Sequence, residues 1–413
     1  MYVKMSLIGL MTFYFMETEG IKYTGSKKTI IPVLLEFMRP LGVSTVFDGF
    51  SGTTRVSQAL KQSGYTVYSN DVAVWSKIFG QCYLLNKKPA SYYQPIIDRL
   101  NKLPGKHGWF SENYGGEAND GSAIHTDGKK KMWQLHNTMK LDAIREEIDN
   151  VAKNETEKAV LLTSLIIAMD KVDSSVGHQV SYLKKWAPRA YNTMQMKVPK
   201  LLIDNKKHRV FSGDIFDVVD DIDVDLAYYD PPYGSSNELM PPSRVRYASY
   251  YHIWKTVCLN DKPKVGGAAN RREDVSDLIA GSVFEEFRKN SDGKFMVMDA
   301  LEKLIKKTKA KYIVLSYNNN GRATFDAISD LLRDLKMKSS VLEMDYKKNV
   351  MATMTWTNEW LNNNDKEEIK NKEYLFLIQK LKQTESLPTF EIKKIDIKAP
   401  IFSQNQQRMI FGS

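Results

Sequence analysis

Short apolar runs alternate with stretches of helical periodicity along most of this chain. Ser44-Thr45-Val46-Phe47-Asp48 reads as a strand, and Thr53 to Leu60 follows at helical spacing. Tyr65-Thr66-Val67-Tyr68 reads as a second strand, and a helix over Thr29 to Met38 precedes the first. Residues 21–86 are therefore expected to run helix, strand, helix, strand, helix. Two more strands are expected at Arg209-Val210-Phe211 and Val224 to Tyr229. Others fall at 311–317, 338–346 and 373–379, with a helix at about 322–335. Strands separated by helices imply a parallel α/β sheet.

The stretch 87–207 breaks that rhythm. It begins with Tyr92-Tyr93-Gln94-Pro95 and holds a Gly-rich loop from Glu112 to Gly128. Trp133 to Asn150 and Glu155 to Lys171 then show helical apolar periodicity. The run Gly177 to Arg189 interleaves amide, aromatic and basic residues, among them Lys184, Lys185 and Arg189. It suits a DNA-contacting surface, or a solvated helix anchored by Trp186. A second basic and aromatic stretch, Ser235 to Tyr251, holds Arg244, Arg246, Tyr247, Tyr250 and Tyr251. Asn260 to Asp274 surrounds Gly266-Gly267 with basic residues including Arg271, and is expected to be a mobile loop over substrate. At the start, Met1 to Phe15 is apolar but too short to span a bilayer. It is expected to be a short strand or helix packed on the α/β domain. Near the end, Leu387 to Ile401 alternates apolar and charged residues and is expected to add an edge strand or lie extended over the sheet.

Composition narrows the picture. The chain has 413 residues, 42% of them hydrophobic, which is enough for a sizeable core. Its 59 basic and 49 acidic residues leave a net charge of +10, which fits a polyanionic partner. Cys82 and Cys258 lie far apart and provide neither a disulfide framework nor zinc-ligand spacing. With six scattered histidines, no metal site is expected. The expected compartment is reducing and intracellular.

Against this background four segments carry chemistry. Tyr229-Asp230-Pro231-Pro232-Tyr233-Gly234 follows an expected buried strand. The Asp230 carboxylate and the Pro231 carbonyl can both accept from a flat exocyclic amine, the prolines hold them rigid, and Tyr233 offers a stacking face. The same run is also an ordinary way to end a strand in a turn. Upstream, Asp48-Gly49-Phe50-Ser51-Gly52 makes a tight turn between strand and helix. Gly49 and Gly52 let backbone pass close to a ligand. Neither GxGxxG nor a Walker lysine is present. Asp71 closes the second strand at the position of a ribose-binding acid, or alternatively of a helix cap. Finally, Ile21 to Lys28 places a Gly-Ser turn among lysines ahead of a helix.

In this order the segments resemble the Dam-type class of adenine-specific DNA methyltransferases. Lys-Tyr-x-Gly-Ser-Lys comes first, then the Gly-rich turn, a long insert, and Asp-Pro-Pro-Tyr. Phe211-Ser212-Gly213-Asp214 matches a further cofactor position, and the runs Tyr312 to Asn318 and Glu373 to Ile378 look like the class's late strands. The resemblance covers roughly residues 21–86 and 208–380. One departure is Gly49, where the class usually carries proline.

The resemblance implies a Rossmann-like methyltransferase sheet, mostly parallel with one antiparallel strand, carrying an inserted, largely helical target-recognition region. The domains implied are 1–86 and 208–380 for catalysis and S-adenosylmethionine binding, 87–207 for target recognition, 235–275 as a substrate loop and 381–413 as a tail. Tyr23 and Lys27 would meet the S-adenosylmethionine, Asp48, Gly49, Phe50 and Gly52 would line its methionine end, Asp71 its ribose, and Asp214 its adenine amine. Asp230, Pro231, Pro232 and Tyr233 would hold the target adenine, with Asp230 also facing the cofactor. Lys184, Lys185, Arg189, Arg244, Arg246 and Arg271 are the expected DNA contacts.

The partners implied are double-stranded DNA and, functionally, a cognate restriction endonuclease. Neither a membrane nor a metal is expected, and monomer and dimer are both compatible with the sequence. Methylation of cytosine C5 is disfavoured, since no Pro-Cys pair occurs. Cytosine N4, RNA adenine, a protein glutamine, or a non-catalytic DNA-binding module are the alternatives.

Overall fold

The computed structural model describes residues 17–117, 119–234, 247–275, 282–286, 288–346, 371–380 and 392–396. Met1 to Phe15, Arg244 and Arg246 lie outside the described residues. Two compact units emerge. One comprises the described residues up to Tyr228, those of 247–282, and Lys306–Ala310; the other comprises 229–234, those of 283–305, and those from Lys311 onward.

In the first unit four parallel strands form one sheet: β1 (Thr45–Asp48), β2 (Thr66–Ser69), β3 (Arg209–Val210) and β4 (Leu226–Tyr229). β1 lies between β2 and β4, and β3 pairs with β2. Asp48 stands opposite both Ser69 and Tyr228, so three chain segments leave the sheet at one level. Val46, Phe47, Val67 and Leu226 are fully buried, as strands covered on both faces must be. Helices α1 (Ile31–Met38), α2 (Arg55–Gln62) and α3 (Val74–Gly80) connect them. At the other end of the sheet, Asp225 accepts from the backbone N–H groups of Ser44 and Thr45, both at 2.8 Å. Those bonds, chiefly the one from Ser44, hold its carboxyl down at about 2.

The insert supplies α4 (Ala90–Lys102), α5 (Trp109–Tyr114), α6 (Leu135–Val151) and α7 (Glu155–Asp170). α7 is apolar nearly all round, and Val160, Leu161, Leu162, Leu165, Ile166 and Met169 are fully buried, which makes it the centre of a core rather than a surface helix. Asn154 caps it by accepting from the Glu157 N–H at 3.0 Å. α4, with Pro95 inside it, was not singled out from sequence, and the end of α5 overlaps the start of the stretch read as a Gly-rich loop.

The segment after Tyr247 joins the same core. α8 (His252–Leu259) places Trp254 5.9 Å from Trp133. Buried Arg145 donates to the carbonyls of Val257 and Cys258, which would otherwise be orphaned at the helix end. The loop expected to be mobile, Asn260 to Asp274, is instead docked. The Tyr114 and Tyr182 hydroxyls donate to the carbonyls of Asn270 and Ala269, each at 2.8 Å. Buried Arg272 grips Asp261 with two bonds of 2.7 Å. Glycine content suggested mobility here, and long-range tyrosine contacts outweigh it.

The second unit contains β5 (Tyr312–Asn318), β6 (Lys338–Tyr346), β7 (Asn371–Gln379) and β8 (Ile392–Asp396). β7 runs antiparallel to both β5 and β6, while β8 is parallel to β6. β7 is the expected reversed strand, and β8 is the expected edge strand of the tail. Thr324 caps helix α9 (Phe325–Asp334) by accepting from the Ala327 N–H at 3.1 Å. The helix Met296–Lys307 was not anticipated from sequence. The described strands are mostly parallel, with β7 reversed, and the insert is largely helical, the α/β pattern expected from sequence. No described helix is long and apolar enough to cross a membrane.

Candidate functional site

The cofactor-type residues of the first unit are assembled by backbone hydrogen bonds at the ends of β1, β2 and β3. Gly49 N–H donates to the Tyr228 carbonyl at 3.0 Å, and Ser51 N–H to the Asn70 carbonyl at 2.9 Å. Gly52 turns the chain at φ +48°, and an added Cβ would lie 3.4 Å from the Tyr23 ring. Its N–H donates to Asp71 Oδ2 at 2.8 Å, and the Ala73 N–H donates to Oδ1 at 2.9 Å. Asp71 thus ties the glycine turn to the start of α3, in keeping with the cap reading of this residue. Burial pushes its carboxyl up, against the pull of the Ala73, Gly52 and Val72 N–H groups. Each carboxylate oxygen has a further lone pair for a ligand hydroxyl.

Asn70 was not singled out in the sequence. Its amide donates to the Gly213 carbonyl at 3.1 Å and, at 3.4 Å, to that of Gly49. Gly213 N–H returns a bond to the Asp71 carbonyl at 3.2 Å. Asn70 therefore staples the loop carrying Asp214 to the glycine turn. Asp214 is exposed and caps the single helical turn Ile215–Val218, accepting from Phe216 N–H at 2.9 Å. Asp48 is buried, and its Oδ2 accepts from the Ser57 hydroxyl at 2.6 Å. Phe50 is half-buried in the turn between them.

Tyr23 belongs to an aromatic platform in the same unit. It stacks on Tyr251 with centroids 4.7 Å apart and meets the edge of Trp75 at 5.6 Å. Tyr251 is buried, and its hydroxyl accepts from Thr24 N–H at 2.7 Å. Burial pushes the Tyr251 phenol up to about 12. Tyr250 stacks on His178 at 4.7 Å. Tyr250 and Tyr251, from the second basic and aromatic stretch of the sequence, thus help build the unit itself. Lys27 lies in the 3-10 turn Lys27–Thr29, which packs on α2.

The acid-diproline corner is held differently, by side chains of the second unit. The Tyr233 hydroxyl donates to Asp230 Oδ1, and lies 3.0 Å from Glu373 Oε1. Its ring lies 4.6 Å from that of Tyr317 at 52°. The Ser316 hydroxyl donates to Glu373, and the Asn318 amide approaches its Oε2 at 3.5 Å. Gly234 turns at φ +60°, and a Cβ there would collide with the Arg322 guanidinium. Arg322 in turn donates its N–H to the Tyr233 carbonyl at 3.3 Å. Glu373, Tyr317 and Arg322 had no local sequence signal, since β5 and β7 read only as late strands.

Among the expected DNA contacts, Lys184 and Lys185 are exposed. Arg189 is half-buried, with Nε 2.8 Å from Asp173 and Nη2 donating to the Ser175 carbonyl at 2.7 Å. Arg271 is half-buried in a two-residue strand paired with Val265–Gly266.

Several known methyltransferases are similar to this chain over most of its length. The Modification methylase StsI of Streptococcus sanguinis is 28% identical over 337 residues, covering 78% of this chain and 47% of the relative. Modification methylase LlaI of Lactococcus lactis subsp. lactis is 26% identical, covering 76% of this chain and 48% of the relative. Type II methyltransferase M.NlaIII of Neisseria lactamica is 23% identical, covering 73% and 82%. The chain spans about half the length of the first two. A model of the D12 class N6 adenine-specific DNA methyltransferases matches residues 23–280, a span that contains the strap at Tyr23, the glycine turn, Asp71, Asp214 and the Asp230 corner, and the chain belongs to that family.

Proposed function

We propose that this chain transfers a methyl group from S-adenosylmethionine to N6 of an adenine in duplex DNA. The observation that carries the reading is Asp230, held by the Tyr233 hydroxyl immediately after a buried strand in a chain of the D12 class. Family membership implies S-adenosylmethionine as donor. The acceptors at the strand ends suit it: carboxylates at Asp48, Asp71 and Asp214, and close backbone approach at Gly49 and Gly52. Asp71 takes the ribose hydroxyls, Asp214 the adenine amine, and Asp48 with Phe50 the methionine end. Tyr23 and Lys27 complete the holding set. When bound, the donor supplies a methyl group already activated by the adjacent positive sulfur.

The chain's own task is orientation. The N6 lone pair of adenine is delocalised into the ring, so the amine is a poor nucleophile. Asp230 and the Pro231 carbonyl accept hydrogen bonds from its two N–H groups, Pro232 keeps the corner rigid, and the nitrogen is drawn toward tetrahedral geometry with its lone pair aimed at the methyl. The proton released after transfer passes first to Asp230. The target base must leave the duplex stack, at a cost of a few kcal/mol. Stacking on Tyr233 recovers about 1–3 kcal/mol of that.

Lys184, Lys185, Arg244, Arg246 and Arg271 are the proposed phosphate contacts. Arg189 is included too, with its guanidinium preset by Asp173. We place the activity in a restriction-modification setting beside a cognate endonuclease, because relatives carry type II and modification-methylase names.

Modified-base sequencing of DNA from cells expressing the chain tests the reading, with N6-methyladenine at one short motif as the expected result. Methyl transfer to RNA or to protein glutamine but not to duplex DNA would replace it with a rival acceptor on the same fold. N4-methylcytosine in the sequenced DNA would do likewise. Failure to bind S-adenosylmethionine by calorimetry would favour a non-catalytic DNA-binding module.

A further inference from the structure

We infer that Glu373 is a positioning residue for methyl transfer, an alternate acceptor that takes the Tyr233 hydrogen when Asp230 turns to the target amine. This deepens the reading above and rests on it. The Tyr233 hydroxyl is placed against two carboxylates at once, Oδ1 of Asp230 and Oε1 of Glu373, the latter at 3.0 Å. A phenol carries one hydrogen, so it donates to only one of them at a time, and it can rotate about its C–O bond between the two. Asp230 has to accept from an N6 proton for the lone pair to be aligned. While the phenol hydrogen points at Oδ1, part of that acceptor capacity is taken. Rotation of the hydrogen to Glu373 releases Asp230 without moving a heavy atom.

Glu373 is built for that duty. It is 1% exposed, deeper than a surface carboxylate would sit without partners. It receives a hydrogen bond from the Ser316 hydroxyl and an approach from the Asn318 amide, so it does not depend on Tyr233 for its own satisfaction. The register of β7 against β5, with Glu373 opposite Asn318, fixes its position through the sheet rather than through a loop. Tyr317 on the same strand packs on the Tyr233 ring and keeps the hydroxyl between the two acids.

The test is a double-mutant cycle on the full chain, with duplex DNA as acceptor and kcat separated from KM. Glu373→Ala is expected to lower kcat on the order of 10–100-fold, the worth of one charge-assisted hydrogen bond, with KM for S-adenosylmethionine unchanged. Glu373→Gln, which retains an acceptor oxygen, is expected to recover most of the loss. In a Tyr233→Phe background, removing Glu373 is expected to change kcat less than about twofold, because the hydroxyl through which it acts is gone. Wild-type kcat in Glu373→Ala would overturn the inference, and so would an undiminished loss in the Tyr233→Phe background. Should Glu373→Ala unfold, Glu373→Met, of similar volume and without an acceptor, carries the same cycle. A wild-type chain that binds S-adenosylmethionine but methylates no adenine would defeat the functional reading itself, and this role with it.

Discussion

The two sets of candidate site residues are held in place by different means. Around the glycine turn, backbone groups do the holding: Gly52 and Ala73 N–H on Asp71, Ser51 N–H on Asn70, Gly213 N–H on Asp71. At the acid-diproline corner, side chains do it, and they come from far along the chain. Ser316 and Glu373 lie 83 and 140 residues from Tyr233, whereas Gly52 lies 19 residues from Asp71. Backbone-held geometry tolerates side-chain change as long as φ and ψ are allowed. Side-chain-held geometry fails when any one partner is lost. The turn should therefore degrade gradually under mutation and the corner abruptly.

The largest effect is expected at the corner's acid. Asp230→Ala removes the acceptor for N6 and should lower methyl transfer on the order of 10³-fold, within the range of positioned acid–base groups. Binding of S-adenosylmethionine and of DNA should remain near wild type, measured by calorimetry and gel shift. Near-normal turnover in this variant would detach the corner from the chemistry altogether.

Next come the two glycines that share a positive φ. Gly234→Ala combines left-handed strain with a collision against the buried Arg322, so a destabilisation of roughly 1–3 kcal/mol is expected along with most of the activity. Gly52→Ala carries the same backbone strain, but its new methyl would only touch the Tyr23 ring. A loss of about 1 kcal/mol is expected there, with measurable turnover retained. Chemical denaturation of both variants decides the matter, and equal losses would erase the distinction between the two modes of support.

That distinction also explains what could be read without coordinates. The glycine turn, Asp71 and the strand-helix rhythm are local patterns, and β1, β2, β4, β6 and β7 lie close to where periodicity placed them. Glu373 was visible only as the first residue of a strand. Its importance depends on the register of β7 against β5, which no short window of sequence encodes. Asn70 was seen only as the neighbour of Asp71, because its partners, the Gly49 and Gly213 carbonyls, carry no side-chain signal. α4 holds Pro95 in its interior, where proline weakens the local helical signal. Glycines at 266 and 267 suggested a mobile loop, and the tyrosines that dock it come from the insert.

Asn70 provides a middle-sized test of the backbone-held set. Asn70→Ala deletes the amide that staples the Asp214 loop to the glycine turn while leaving every backbone bond in place. Two neutral hydrogen bonds at about 0.5–1.5 kcal/mol each bound the loss, so S-adenosylmethionine affinity should fall roughly tenfold with little change in kcat at saturation. A collapse as deep as that of Asp230→Ala would mean that the turn, too, depends on a single side chain.

The smallest expected effect concerns the strap that brings Tyr23 to the glycine turn. Lys22 is fastened to the insert by its N–H on Asp170 at 3.0 Å and by its ammonium between Asp170 and Asp173, each at 3.1 Å. The donors of the turn are neutral backbone N–H groups, whereas this fastening pairs a titrating carboxyl with an ammonium. Burial is the largest influence on Asp170 and pushes its carboxyl up to about 6, with Lys22 opposing. A carboxyl raised in the folded state adds stability that is complete below its ordinary value of 3.8 and is lost as pH rises through about 6. Thermal unfolding of wild type should therefore gain a few degrees, relative to Asp170→Asn, on going from about pH 7 to about pH 5. The asparagine can still accept the Lys22 N–H, so the difference between the two chains isolates the charge. Parallel pH curves would show that the charged pair holds the strap as firmly as the neutral form, and the contrast between titrating and backbone support would not extend to this end of the site.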